Sequence, residues 1–199
     1  MRLVKALVVV LAVVALVAPP AAAVGTGPGD GPGGPVLVVV NPSDQFGHYY
    51  AEILRAEGLN AFAVADTNAL TPETLANYQV VILGHGAVSG AQAAALTGWV
   101  GSGGNLIAMR PDASLAGLLG LGAGSGSLDN AYMRVDTGSP PGAGITGETM
   151  QFHGTADRWT LAGASTVATL FSNATTATPN PAVTLRSVGS GASGAASGP

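Results

Sequence analysis

Gly84-His85-Gly86 sets an imidazole between two glycines at a strand-to-helix turn, the place where α/β hydrolases expose a nucleophile. Such an elbow needs Ser or Cys with glycines two residues to either side, and Gly84-His85-Gly86-Ala87 offers neither. The nearest hydroxyl, Ser89, is better explained as a helix cap. The glycines do not make a dinucleotide fingerprint either, since Gly90 falls one residue late and no acidic residue is suitably placed. A second polar group lies in Gln151-Phe152-His153-Gly154-Thr155-Ala156-Asp157-Arg158, read as a compact turn whose His153, Asp157 and Arg158 can fold back over the same edge. Further polar residues follow apolar runs: Asn41, Ser43 and Asp44, then Asp66, then Arg110 and Asp112. A histidine, an arginine and carboxylates on one rim suit an anion, a sugar or a metal. The candidate catalytic residues are His85, Asp112 and His153, and the candidate ligand-binding residues are Asp44, His85, Arg110, Asp112 and His153. A structural reading stands beside each: Asp44 and Asp112 are placed to cap helices, and Arg110 to pair with Asp112. A Ser-His-Asp set using Ser43 or Ser89, or a metal site from His48, His85 and His153, can be drawn, but no spacing demands it. No metal and no cofactor is expected.

These residues depend on the elements that carry them. Val36 to Val40 is a continuous apolar run, the pattern of a strand buried on both faces. Asn41-Pro42 ends it, and a helix follows in which Phe46, Tyr50, Ile53 and Leu54 share a face before Gly58. Ala61 to Ala65 reads as a second strand, and Thr71-Pro72 opens a brief helix. Tyr78 to Pro111 is one β-α-β unit: a strand at Val80 to Leu83, a capping box at Ser89-Gly90-Ala91-Gln92, and a helix with Ala93, Leu96, Thr97 and Val100 inward. A Gly101 to Gly104 turn leads into a strand at Leu106 to Met109, and Asp112 can cap a helix bearing Leu115, Leu118 and Leu119. This alternation predicts an α/β fold, a flavodoxin-like, doubly wound, mainly parallel three-layer sheet. Ala131 to Val135, Thr149 to Phe152, Val167 to Phe171 and Ala182 to Val188 read as antiparallel strands added in the C-terminal part. In such a sheet the rim beyond the carboxyl ends of the strands is where ligands bind.

Composition adds an address. Arg2 and Lys5, the apolar run Leu7 to Ala18, Pro19-Pro20 and Ala21-Ala22-Ala23 form a secretory signal peptide over residues 1–23. Residues 24–34 are a Gly/Pro linker, 35–188 the folded domain, and 189–199 a Gly/Ala/Ser tail too poor in apolar residues to order. The chain stops where a closing strand is expected, which points to truncation. With no cysteine in 199 residues, disulfides, thiolate metal sites and cysteine nucleophiles are excluded. A charged fraction of 9% and a net charge of −4 argue against nucleic acid. No membrane partner is expected once the signal is cleaved.

Three segments carry a resemblance: NPSDQFGHYYAEILRAEGLNAFAV, YQVVILGHGAVSGAQAAALTGWVGSGGNLIAMRPDASLAGLLGL and QFHGTADRWTLAGASTVATLFSNATTATPNPAVTLRSVGS. They resemble exported actinobacterial proteins with a class I glutamine-amidotransferase-like domain of flavodoxin-like topology. The strand-helix-GGNL pattern is similar to the ThuA-like (trehalose-utilisation) branch. Carried over by position, the amidotransferase nucleophile falls in the turn of His85 and Ala87, where no cysteine stands. The resemblance therefore implies a degenerate, non-catalytic member without glutaminase activity. The resulting expectation is an exported module, secreted or held at the cell surface, that binds carbohydrate or cell-envelope material. The alternatives are a hydrolase with a non-cysteine site at the carboxyl-end edge of the sheet, and an inactive truncated remnant.

Overall fold

The computed structural model describes residues 31–44, 46–138 and 140–198. The signal peptide and most of the linker predicted above lie outside the described residues. Eleven strands and four α-helices are described, in the order β1 (Val36–Val40), α1 (Tyr49–Ala56), β2 (Phe62–Asp66), α2 (Pro72–Leu75), β3 (Val80–Leu83), α3 (Gly90–Gly101), β4 (Asn105–Met109) and α4 (Ala116–Leu119), then β5 (Leu121–Asp129), β6 (Tyr132–Val135), β7 (Met150–Gln151), β8 (Thr155–Leu161), β9 (Ser165–Phe171), β10 (Ala177–Val188) and β11 (Gly191–Ala196). Nine of the strands form one sheet in the order β2-β1-β3-β4-β11-β10-β9-β6-β7, and β5 pairs with β8 apart from it.

The apolar runs make the parallel part. Leu37, Val38 and Val39 are fully buried because β1 is flanked in parallel by β2 and β3 and covered on both faces. One face packs Leu37, Val39, Val81, Leu83, Leu106 and Ala108 against Leu75 of α2, Leu96 and Val100 of α3, and Leu118 and Leu119 of α4. The other packs Val38, Val40, Phe62 and Val64 against Ala51 of α1, with Tyr50 and Leu54 beside it. Ser89 caps α3 with the reciprocal bonds its spacing predicts: Gln92 N–H donates to Ser89 Oγ at 3.3 Å and Ser89 N–H to Gln92 Oε1 at 2.8 Å.

The flavodoxin-like, doubly wound, mainly parallel sheet is not what forms. Only β2, β1, β3, β4 and β11 run parallel; β10, β9, β6 and β7 extend the sheet antiparallel. Nor are there three layers throughout, because α1 is the only described helix on its face and ends its cover near β3. The second half of the turn predicted at Gln151 to Arg158 is strand β8, and the Gly/Ser-rich segment after Gly120 is strand β5.

The largest correction concerns the tail. Gly191 to Ala196, expected to be disordered, is β11, parallel to β4 on one side and antiparallel to β10 on the other. Its backbone satisfies itself on both neighbours, so it needs no apolar run of its own. Small residues suit the slot: a Cβ at Gly191 would run into the carbonyl oxygens of Gly104 and Val100. Ser193 is buried with its hydroxyl donating to Leu118 O at 3.0 Å. β10, which carries Ala182 to Val188, is thereby paired on both sides.

Candidate functional site

The carboxyl ends of β1, β3, β4 and β11 meet at one rim, and the parallel register brings Asn41, Gly84-His85, Arg110 and Ser197 to it. Gly86 belongs to the same turn at φ 153°, and a Cβ there would overlap the Asn41 side chain, so the chain passes where only glycine fits. His85 is exposed, and its Nδ1 lies 3.0 Å from Arg110 O. A carbonyl oxygen only accepts, so Nδ1 carries the proton and donates, which in the neutral tautomer leaves the lone pair on Nε2.

Arg110 adopts φ 45°, in the left-handed region that a side-chain-bearing residue avoids at about 1–2 kcal/mol. Contacts on three sides hold it there. Its N–H donates to Ala196 O at 2.7 Å, its carbonyl accepts from His85, and its guanidinium grips Asp157 through Nε–Oδ2 at 3.0 Å and Nη2–Oδ1 at 3.1 Å. Asp157 is itself fixed by its N–H donating to Ser197 O at 2.8 Å. The hydrogen bond that Arg110 donates to Asp157 raises the Arg110 pKa above its ordinary value. Left-handed backbone locked by an ion pair is the kind of strain that collects at functional sites.

Asp112 caps the turn that leads into α4, its Oδ1 accepting from Ser114 N–H at 2.8 Å. The Ser114 hydroxyl and N–H hold its carboxyl below the usual carboxylate range, with a smaller pull from nearby His85. Asp112 is thus ionised at neutral pH, beside an imidazole. Asp44 accepts from Phe46 N–H at 3.0 Å, and Asp66 from Asn68 N–H at 2.7 Å, both in local turns.

The structure brings together His85, Arg110, Asp112 and Asp157 of the residues singled out in the sequence. Arg110 pairs with Asp157 rather than Asp112, because β8 runs beneath the rim and presents the carboxylate to it. No hydrogen bond or ion pair among the described residues links His153 to that group; it is exposed in the turn before β8. Arg158 points the opposite way from Asp157, donating to Asn180 Oδ1 at 2.9 Å. Ser43 donates to Asn41 Oδ1 at 2.8 Å, so neither it nor Ser89 is placed as a nucleophile. Among the described residues no group of three His, Asp or Glu side chains could hold a metal ion, so His48, His85 and His153 do not assemble. A cleft of about 540 Å³ lies at the opposite end of the strands, lined by Pro72, Tyr78, Gln79, Trp99 and Ser102. It shares no residue with the rim and no titratable group but Tyr78, so we place the candidate chemistry at the rim. The signal for Asp157 was its position in a polar stretch; its partner could not be read without the strand that carries it.

No family model and no curated protein matches this chain. Solved structures do. A cold-adapted β-galactosidase from Rahnella sp. R3 is similar with a TM-score of 0.65 at 17% identity, over 82% of this chain and 28% of that one. The carbohydrate deacetylase Agd3 gives a TM-score of 0.59 at 18% identity, over 81% and 28%. A cytoplasmic protein from Salmonella typhimurium gives 0.61 at 13% identity, over 82% of this chain and 87% of that one. The chain therefore spans about 28% of the length of the galactosidase and the deacetylase, and at these identities the likeness is one of fold. It also corrects the resemblance drawn from the sequence: these neighbours are carbohydrate-active enzymes, not glutamine-amidotransferase-like or ThuA-like domains. The strand-helix-GGNL pattern describes one β-α-β unit, which many α/β sheets share. What this chain shares is the fold of a domain found within carbohydrate-active enzymes.

Proposed function

We propose that this chain is an exported carbohydrate-handling domain whose sugar ligand meets the carboxyl-end rim at His85, Arg110 and Asp112. One observation carries the reading: the exposed His85 ring, tied through Nδ1 to Arg110 O, stands near the ionised, half-buried Asp112 carboxylate on one rim, with the Arg110–Asp157 pair beside them. Sugar hydroxyls are donors and acceptors in fixed pairs, and such a rim offers acceptors beside a cation. The fold shared with galactosidases and a deacetylase supports the same class of ligand.

Hydrolysis is the second reading, and the His85 tautomer favours it. A ring whose Nδ1–H is tied to a backbone carbonyl offers Nε2 as a general base. The two-carboxyl glycosidase mechanism is not supported, since it requires a carboxylic acid with a raised pKa. Asp112 is shifted the other way, and Asp157 is engaged by Arg110.

Titration calorimetry with galactose-, mannose-, fucose- and N-acetylhexosamine-containing oligosaccharides tests the first reading. Binding that falls at least tenfold in His85→Ala, with unchanged melting temperature, is expected. Failure of the whole panel to bind sinks it. Chromogenic glycosides and sugar acetates test the second: turnover abolished by His85→Ala supports it, and turnover indifferent to that change refutes it.

A further inference from the structure

On the face that carries α1, nothing among the described residues covers the central strands. Along β4, Leu106 and Ala108 are buried under α3 and α4 while Asn105 and Ile107 are exposed; along β11, Ser193 and Ala195 are buried while Ala192, Gly194 and Ala196 are half-exposed. The pairing puts Ile82, Ile107, Gly194 and Leu185 in one row across β3, β4, β11 and β10. Paired residues point to the same side, so Ile107 and Leu185, 44% and 43% exposed, floor a trough open to solvent.

The wall of that trough is α1. Tyr50 lies against Gly84 on the β3 side of the helix, and Arg55 lies over Phe62 on the β2 side. At 100° per residue, Ile53 lies about 60° and Tyr49 about 100° from Tyr50 on the trough side of the helix, and Phe46 stands in the turn just before it. All three are more than half exposed, and Phe46 and Tyr49 pack ring to ring at 5.8 Å. A helix that buries Ala51 below and, with the turn before it, shows Phe46, Tyr49 and Ile53 to water is built for contact on both sides.

We propose that this face is the interface of a symmetric homodimer, in which α1 of each copy lies in the trough beside α1 of the other. The ridge and the trough stand side by side on one surface, which is what a twofold axis requires for each to fill the other. The trough crosses about 14 Å from Ile82 to Leu185 at ordinary strand spacing, enough for one helix about 10 Å across. Its floor holds no charged side chain, so it offers nothing to a charged partner. Phe46, Tyr49, Ile53, Ile107 and Leu185 together expose on the order of 500 Å², in the upper half of the range for a monomer's largest patch. With their half-buried neighbours they approach the roughly 800 Å² per partner of an ordinary stable interface.

Sedimentation velocity of the full chain across a hundredfold concentration range is expected to show a dimer. Ile53→Glu and Ile107→Glu, both on exposed positions, are expected to shift it to monomer with an unchanged circular dichroism spectrum. Because the chain has no cysteine, a Tyr49→Cys, Leu185→Cys double variant reports the geometry directly, and oxidation is expected to yield covalent dimer. A wild type that is monomeric throughout overturns the proposal. Association that survives both glutamate substitutions, or a double variant that yields no covalent dimer, overturns it as well.

Discussion

Removing residues 191–199 separates a tail from a strand. As a tail of glycine, alanine and serine, the segment would be dispensable, and its loss would leave the melting temperature unchanged. As β11 it makes six residue pairs with β10 and five with β4, and it joins the parallel and antiparallel parts of the sheet. That is about ten ladder hydrogen bonds, each worth about 1 kcal/mol net, or on the order of 10 kcal/mol. A domain's whole stability is about 5–15 kcal/mol, so the shortened chain is expected not to fold. A point substitution makes the same test without shortening the chain. Ala195 is 2% exposed and faces the core beneath α3 and α4, so Ala195→Asp buries an unpaired carboxylate. The cost is about 3–5 kcal/mol. Near-ultraviolet and far-ultraviolet circular dichroism with limited proteolysis is the assay. A truncated chain that melts cooperatively at the wild-type temperature would refute the reasoning outright.

Two further outcomes concern the rim. Asp157→Ala removes both contacts to Arg110; because the two side chains are 30% and 29% exposed, solvent discounts the pair to about 1 kcal/mol, or roughly 2–4 °C in thermal denaturation. The same variant is expected to loosen the His85 Nδ1 hydrogen bond, read as a change in imidazole nitrogen chemical shifts, and unchanged shifts would separate His85 from that ion pair. Asp112, whose pKa is depressed in the fold, adds stability that is fully present above its unfolded-state value near about pH 4 and is lost as pH falls through the folded one. Asparagine caps as well without titrating, so wild type is expected to lose stability below about pH 4 more steeply than Asp112→Asn. Parallel acid-denaturation curves would contradict that assignment.

The sequence by itself determined whatever depends on neighbours along the chain. The run Val36 to Val40 must be a buried strand, Ser89 and Gln92 must cap α3, and His85 must sit in the turn after β3, because apolar patterning and capping act over a few residues. Those local rules placed His85, Arg110 and Asp112 on one rim. They could not place Asp157 against Arg110, since that pairing spans the route of β8, nor show that His153 stays apart. The tertiary structure alone decided the rest. Gly191 to Ala196 carries no pattern of its own and becomes a strand because β4 and β10 offer two unpaired edges and the layer above leaves room only for small side chains. Whether a sheet continues in parallel or turns antiparallel, and which face stays uncovered, is set by long-range pairing, whose energy lies in backbone hydrogen bonds that every residue but proline can make.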